Sequence, residues 1–139
     1  MQVYLDTSAL VKLVVREKES SALRRYLQAS PHDVRFTAAL SRAELVRAVS
    51  RGASFDVVAH ARRVLSRLDM VALTNRLLDE AGTLGLPDLR TLDAIHLAAA
   101  RTAPALRALV TYDVRLDQAA ETIGIPVATP GRARRSQVR

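Results

Sequence analysis

The sequence of 139 residues has no cysteine and no tryptophan. Without cysteine, disulfides, thiolate metal sites and a thiol nucleophile are excluded together. Only 4% of residues are aromatic, which argues against a base-stacking platform for single-stranded nucleic acid. No apolar stretch reaches the roughly 20 residues that a membrane span requires, and no basic leader precedes an apolar block at the N-terminus. We expect one cytoplasmic domain with no membrane segment.

Lysine is also scarce. The chain has 21 basic and 14 acidic residues, a formal charge of +7, and every basic residue except Lys12 and Lys18 is arginine. Arginine matches phosphate with a planar fork of donors, so this charge is compatible with nucleic acid or with an acidic protein partner. A GC-rich genome gives the same bias, and charge alone therefore leaves both interpretations open.

Short runs rich in Val, Leu, Tyr and Phe alternate with seven longer segments of helical period. The sequence predicts strands at Gln2–Leu5, Val34–Thr37, Met70–Leu73, Leu106–Thr111 and Pro126–Ala128. This alternation implies crossover connections and an α/β fold, in which helices cover both faces of a mainly parallel sheet of four or five strands.

Glycine and proline punctuate the predicted elements. Gly52, Gly82, Gly85 and Gly124 fall at or just after helix ends. The last ten residues, PGRARRSQVR, carry four arginines and no apolar pattern. We therefore predict a domain over residues 1–129 and a basic, flexible tail over residues 130–139.

Four acids have positions that suggest chemistry: Asp6, Glu44, Asp93 and Asp113. Each also has a structural explanation. Asp6 and Asp113 follow strands and precede helices, where aspartate is a favoured N-cap. Asp93 lies in the first turn of a helix, where the macrodipole favours an acid.

The other structural explanations concern neighbouring side chains. Thr91 is the predicted cap of the helix that carries Asp93, and Arg47 could pair with Glu44 at i+3. Against that pairing, Glu44 shares a helical row with Leu40 and Ala48, an apolar setting in which an isolated carboxylate is costly.

Taken together, the acids predict a cation site. The carboxyl ends of parallel strands lie along one edge of a sheet, where ligands bind, so Asp6 and Asp113 should share that edge. Oxygen ligands without Cys or a His pair favour Mg²⁺ or Mn²⁺. Such an ion can supply a nucleophilic water and neutralise a phosphodiester oxygen, which predicts phosphodiester hydrolysis.

Several polar neighbours could assist with substrate. The helix N-terminus at Thr7 and Ser8 would offer backbone donors to a phosphate. Arg42 and Arg47 flank Glu44 and could reach substrate phosphates, although ordinary surface charges on a helix have the same pattern.

The order of these motifs resembles the PIN domain, and specifically the VapC-type ribonuclease toxins of prokaryotic toxin–antitoxin pairs. The residues that carry the resemblance are YLDTSALVKL, SRAELVRA, TLDAIHLA and VTYD, and it extends to about residue 128. The combination of DTSALVKL with LDAIHLA is fairly specific.

The resemblance implies a three-layer α/β/α fold, Mg²⁺- or Mn²⁺-dependent cleavage of RNA, a homodimer and inhibition by a VapB-like antitoxin. By match to the motif, the metal-binding acids would be Asp6, Glu44, Asp93 and Asp113, with Thr7 or Ser8 as an accessory polar group. Asp117, one turn beyond Asp113, could substitute for it or assist it.

Other classes begin with an acid after the first strand. An aspartyl-nucleophile phosphatase would have a second Asp where this chain has Ser8, and a two-component receiver would have paired acids there. Two alternatives stay open within the resemblance: a housekeeping RNA-processing nuclease, and a non-catalytic module that binds RNA or protein.

Overall fold

The computed structural model describes residues 1–51 and 55–133. Five strands form one sheet: β1 (Gln2–Leu5), β2 (Val34–Ala38), β3 (Asp69–Val71), β4 (Leu106–Val110) and β5 (Val127–Ala128). Their order in space is β3-β2-β1-β4-β5, and every neighbouring pair is parallel. The predicted parallel sheet is thereby confirmed, and each strand boundary lies within two residues of its prediction.

Within the described residues, seven helices connect the strands. They are α1 (Thr7–Val14), α2 (Ser20–Gln28), α3 (Ser41–Val49), α4 (Phe55–Ser66), α5 (Asn75–Gly82), α6 (Thr91–Ala100) and α7 (Val114–Thr122). Each of the first three crossovers uses two helices, and the last uses α7 alone. None of the helices in the described part of the chain has the length and apolar character needed to cross a bilayer.

Strand β1 divides the core because alternate side chains point to opposite faces of a sheet. Val3 and Leu5 pack in one cluster with residues of α1 to α4. Tyr4 packs in the other, with Leu97 of α6 and Leu116 of α7. All five side chains are buried, so helices cover both faces and the layers are α/β/α.

The strand order creates a switch point between β1 and β4. From β1 the chain moves outward through β2 and β3, and from β4 it moves outward to β5. Loops that leave adjacent strands in opposite directions open a crevice at the carboxyl ends, which is the usual ligand site of open α/β sheets. Leu5 pairs with Val110, so Asp6 and Thr111 emerge side by side at that crevice.

A Schellman motif returns the chain from α7 to β5. Gly124 has a φ of 78°. The N–H of Ile125 donates to the carbonyl of Ala120 at 2.9 Å, and the N–H of Gly124 donates to the carbonyl of Glu121 at 3.0 Å. Glycine suits the left-handed position of this motif, as the sequence predicts for this helix end. Gly52 lies outside the described residues.

The predicted cap of α6 is wrong by one position. Thr91 is the first helical residue, and Arg90 occupies the N-cap position without a capping hydrogen bond from its side chain. Thr91 therefore does not hold the start of this helix, whereas Arg90 faces the acids.

The first residues of the basic segment pack against the domain. The carbonyl of Pro130 accepts a hydrogen bond from the Tyr112 hydroxyl at 2.7 Å. Arg132 donates to the carbonyl of Tyr112 at 2.8 Å and to Glu19 at 3.2 Å. Residues 134–139 lie outside the described residues, and the flexible tail stays a prediction.

Candidate active site

Asp6 lies at the centre of the switch point and is 3% exposed. As the N-cap of α1, it accepts the N–H of Ala9 at 2.9 Å and the Ser8 hydroxyl at 2.7 Å on one oxygen. The other oxygen accepts the Thr111 hydroxyl at 2.6 Å. Burial raises the pKa of Asp6 above its usual value, although these hydrogen bonds oppose the shift. The carboxylate is thus oriented but electrostatically costly, a state that a nearby cation would relieve.

Glu44 projects from the first turn of α3 towards α1 and α6. Its Oε1 accepts the Thr7 hydroxyl at 2.7 Å and lies 2.7 Å from Nε2 of His96. Partial burial acts to raise the pKa of Glu44, but the hydrogen bonds from His96 and Thr7 outweigh burial and lower it. Glu44 is therefore ionised at neutral pH. Its hydrogen-bond partners are Thr7 and His96, so the interpretation of Glu44 as a partner of Arg47 is wrong.

Asp93 and Asp113 meet at the side chain of Arg90. The Nε of Arg90 lies 3.1 Å from Asp93 Oδ2, and a terminal nitrogen lies 3.6 Å from Asp113 Oδ2. The other oxygen of Asp113 caps α7 by accepting the N–H groups of Arg115 and Leu116. One guanidinium thus spans two of the four candidate acids.

Two hydroxyls join the ends of β1 and β4. Thr111 donates to Asp6 and accepts the N–H of Asp113 at 3.1 Å. Ser8 donates to Asp6 and accepts the N–H of Tyr112 at 2.9 Å. The segment from Thr111 to Asp113 is consequently fixed relative to Asp6, and the switch-point acids form one connected group.

Among the accessory candidates, Thr7 and Ser8 hold Glu44 and Asp6 through their hydroxyls. Arg42 and Arg47 are exposed on α3. Asp117 lies one turn into α7, beyond Asp113. Asp113, a candidate for the fourth acid, contacts Arg90 beside Asp93.

A groove of about 490 Å³ runs from Asp93 along α7. Arg90 and Arg115 line it together with Asp88, and Leu89 and Ala119 contribute apolar surface. A groove that combines cations with apolar surface, directly beside the acids, suits a nucleotide chain.

The donor set fits a hard divalent cation, since carboxylate oxygens are the preferred ligands of Mg²⁺ and Mn²⁺. As the side chains stand, no group of three or more His, Asp or Glu within residues 1–51 and 55–133 could hold a metal ion. Arg90 is one reason why these carboxylates do not form such a group, because its positive charge lies between Asp93 and Asp113.

Comparison with known proteins gives the family. A profile of the PIN domain matches residues 3–122. Over 130 residues the chain is 49% identical to ribonuclease VapC46 of Mycobacterium tuberculosis. The aligned region covers 92% of this chain and 97% of the relative. The chain belongs to the PIN-domain family, in its VapC branch.

Solved PIN-domain structures share the fold. VapC20 of Mycobacterium tuberculosis, a toxin that cleaves the sarcin-ricin loop, superposes with a TM-score of 0.72 at 19% identity and covers 92% of this chain and 99% of its own. VapBC2 of Rickettsia felis, solved with a DNA fragment from its promoter, gives 0.68 at 18% identity over 91% and 96% of the two chains. At these identities the likeness concerns the fold.

The roles of two side chains of this PIN domain were not foreseen in the sequence. His96 is 3% exposed, hydrogen-bonds to Tyr4 through Nδ1 and contacts Glu44 through Nε2. Arg90 precedes Asp93 by three residues, which is the spacing of an ion pair at a helix start, and this signal was available.

Proposed function

We propose that this chain is a metal-dependent endoribonuclease and the toxin of a VapBC toxin–antitoxin pair. The observation that carries the proposal is the connected group of Asp6, Glu44, Asp93 and Asp113 at the switch point. The 49% identity to a ribonuclease VapC supports RNA as the substrate.

In this proposal the four acids hold Mg²⁺ or Mn²⁺. When bound, the ion activates water for attack on phosphorus and neutralises charge on the phosphodiester. Thr7, Ser8 and Thr111 orient the carboxylates by donating hydrogen bonds to them. His96 holds Glu44 by a hydrogen bond, which favours the orientation of that carboxylate towards the site.

In the proposed hydrolysis, water attacks phosphorus and the bond from phosphorus to the 3′ oxygen breaks, which leaves a 5′-phosphate and a 3′-hydroxyl. The arginines that line the groove, Arg90 and Arg115, are placed to contact the RNA backbone on one side of the scissile bond. Exposed Arg42 and Arg47 on α3 are candidates for the other side.

Cleavage of structured RNA by the purified protein tests the catalytic part. We expect cleavage with Mg²⁺ or Mn²⁺, none with EDTA, and a loss of at least about 100-fold in Asp6→Asn and Asp93→Asn. Asp69→Asn is the control, since Asp69 is exposed at the far end of the sheet order. Equal cleavage by all variants would reject the assignment.

The toxin part has its own test. Induced expression should slow growth, and co-expression of a short antitoxin-like reading frame from immediately upstream should restore it and copurify with the chain. Light scattering of the free protein tests the homodimer. Cleavage without growth arrest would favour a housekeeping nuclease, and RNA binding without cleavage would favour the non-catalytic module.

A further inference from the structure

The exposed side chain of Arg90 contacts two acids that are less exposed than it is. Its side chain is 64% exposed, whereas the side chains of Asp93 and Asp113 are 13% and 31% exposed. The guanidinium contacts Oδ2 of both carboxylates, at 3.1 and 3.6 Å. A largely exposed cation is therefore held by two acids that lie in the first turn of α6 and at the cap of α7.

We propose that Arg90 is an internal counterion that occupies the acids of the metal-free protein and is displaced by the incoming metal. The inference rests on the proposed function, because it takes the acids to be metal ligands. It assigns Arg90 a role that the PIN-domain resemblance does not give it, that of lowering metal affinity.

The oxygen positions support displacement. One oxygen of Asp113 is committed to the backbone of α7, and Arg90 contacts the other, uncommitted oxygen. A metal that uses Asp113 through its uncommitted oxygen must compete with the guanidinium. Both cannot approach this oxygen closely, because two cations at one site repel each other.

Because Arg90 is exposed, its displacement from the two acids costs little free energy. An exposed ion pair contributes little, since water and salt screen it and the long side chain loses conformational freedom. The groove beside Arg90 offers space for the released side chain. Until the metal arrives, the guanidinium offsets the repulsion between two neighbouring carboxylates.

A purely structural ion pair at the start of α6 makes different predictions. Arg90 and Asp93 are three residues apart, and such a pair would serve the helix alone. Its removal would destabilise the protein equally with and without metal and would leave metal affinity unchanged. Metal binding therefore separates the two roles.

The experiment measures Mn²⁺ affinity by electron paramagnetic resonance on the full chain, with no RNA present. We expect Arg90→Gln to bind Mn²⁺ roughly three- to tenfold more tightly than wild type, and Arg90→Lys to lie between them. Arg76→Gln is the control, because Arg76 forms an exposed ion pair with Glu80 on α5. This control should leave the affinity unchanged.

A melting experiment provides the second measurement. In EDTA, Arg90→Gln should melt below wild type because the two acids lose their counterion. In saturating Mn²⁺ this difference should disappear or reverse.

The possible failures are distinct. No Mn²⁺ binding by wild type would overturn the metal-dependent function and the inference with it. Binding by wild type with unchanged or weaker binding by Arg90→Gln would overturn the inference alone, as would a melting deficit that is equal in EDTA and Mn²⁺.

Discussion

The Nε2 of His96 lies 2.7 Å from Oε1 of Glu44, although 52 residues separate them in the chain. Because Glu44 is ionised, it can only accept, so this nitrogen carries the proton. The other ring nitrogen, Nδ1, forms a hydrogen bond with the hydroxyl of Tyr4, which itself accepts the N–H of Ala38 at 3.2 Å. Glu44 is thereby connected to the centre of the sheet.

This connection predicts that Tyr4→Phe is destabilising and reduces cleavage. The substitution leaves His96 Nδ1 and the Ala38 N–H without their buried partner, which should cost about 1 to 3 kcal/mol in the free energy of unfolding. Burial raises the pKa of Tyr4, so the hydroxyl remains a donor throughout the working pH range. Urea denaturation and the cleavage assay measure the two effects.

Tyr26→Phe is the control for Tyr4→Phe, since Tyr26 is partly buried on the other face of the sheet. We expect it to change stability by less than about 0.5 kcal/mol and to leave cleavage unchanged. Similar losses in both variants would contradict a specific role for the Tyr4 hydroxyl.

Asp6→Asn should stabilise the metal-free protein while abolishing cleavage. Burial raises the pKa of Asp6, so the folded state binds its proton more tightly than the unfolded state does. The associated stability is present below the ordinary pKa of 3.8 and is lost as pH rises through the folded pKa. Asparagine keeps the cap of α1 without the buried charge.

The measurement is thermal melting in EDTA across pH 3 to 8. At pH 8 the Asn variant should exceed wild type by about 1 kcal/mol, and the two should converge at acidic pH. A variant that is less stable at every pH would show that the hydrogen bonds of the carboxylate outweigh its burial.

Much of the fold follows from local pattern. The continuous apolar run of Val3, Tyr4 and Leu5 is that of a strand buried on both faces, and the acids at strand ends follow from the parallel order. The sequence does not give the strand order β3-β2-β1-β4-β5, because pairing depends on contacts between distant segments. The switch point between β1 and β4 therefore required the structure.

The same distinction holds at the candidate site. The four acids have positional signals, but the contact of Glu44 with His96 depends on where the fold places α3 relative to α6. Helical period does not encode that packing. The predicted apolar row around Glu44 is wrong at Ala48, which is exposed. The carboxylate of Glu44 has its hydrogen-bond partners in His96 and Thr7.

Asp33 predicts an acid-sensitive contact at the opposite edge of the sheet. Its carboxylate accepts hydrogen bonds from Arg107 of β4 and pairs with the amino group of Met1, and the bonds from Arg107 are the main cause of a pKa of about 2. A lowered pKa stabilises the fold above the ordinary value of 3.8, and this stability is lost as pH falls towards 2.

Asp33→Asn should consequently lower the melting temperature at pH 6 and flatten its dependence on pH between about 4 and 2. Cleavage at pH 7 should remain unchanged, because Asp33 precedes β2 at the amino ends of the strands. An unchanged acid profile would contradict the assigned role of the Arg107 contact.

Gly131→Ala should destabilise the protein more than Gly85→Ala does. Both glycines have positive φ, 84° and 72°, so both variants bear the cost of a left-handed alanine, about 1 kcal/mol. At Gly131 the new Cβ would also lie 2.8 Å from Cβ of Ala22 in α2, whereas at Gly85 nothing lies within 4 Å. The difference between the two melting curves isolates that close contact.

The close contact matters for activity because the next residue, Arg132, donates to the carbonyl of Tyr112 beside Asp113. If Gly131→Ala displaces this segment, Asp113 loses part of its support, and cleavage should fall several-fold while Gly85→Ala retains it.

A chain that ends at Ala133 keeps these contacts and should cleave as wild type does. Loss of cleavage on that truncation, with stability unchanged, would instead place RNA contacts in residues 134–139.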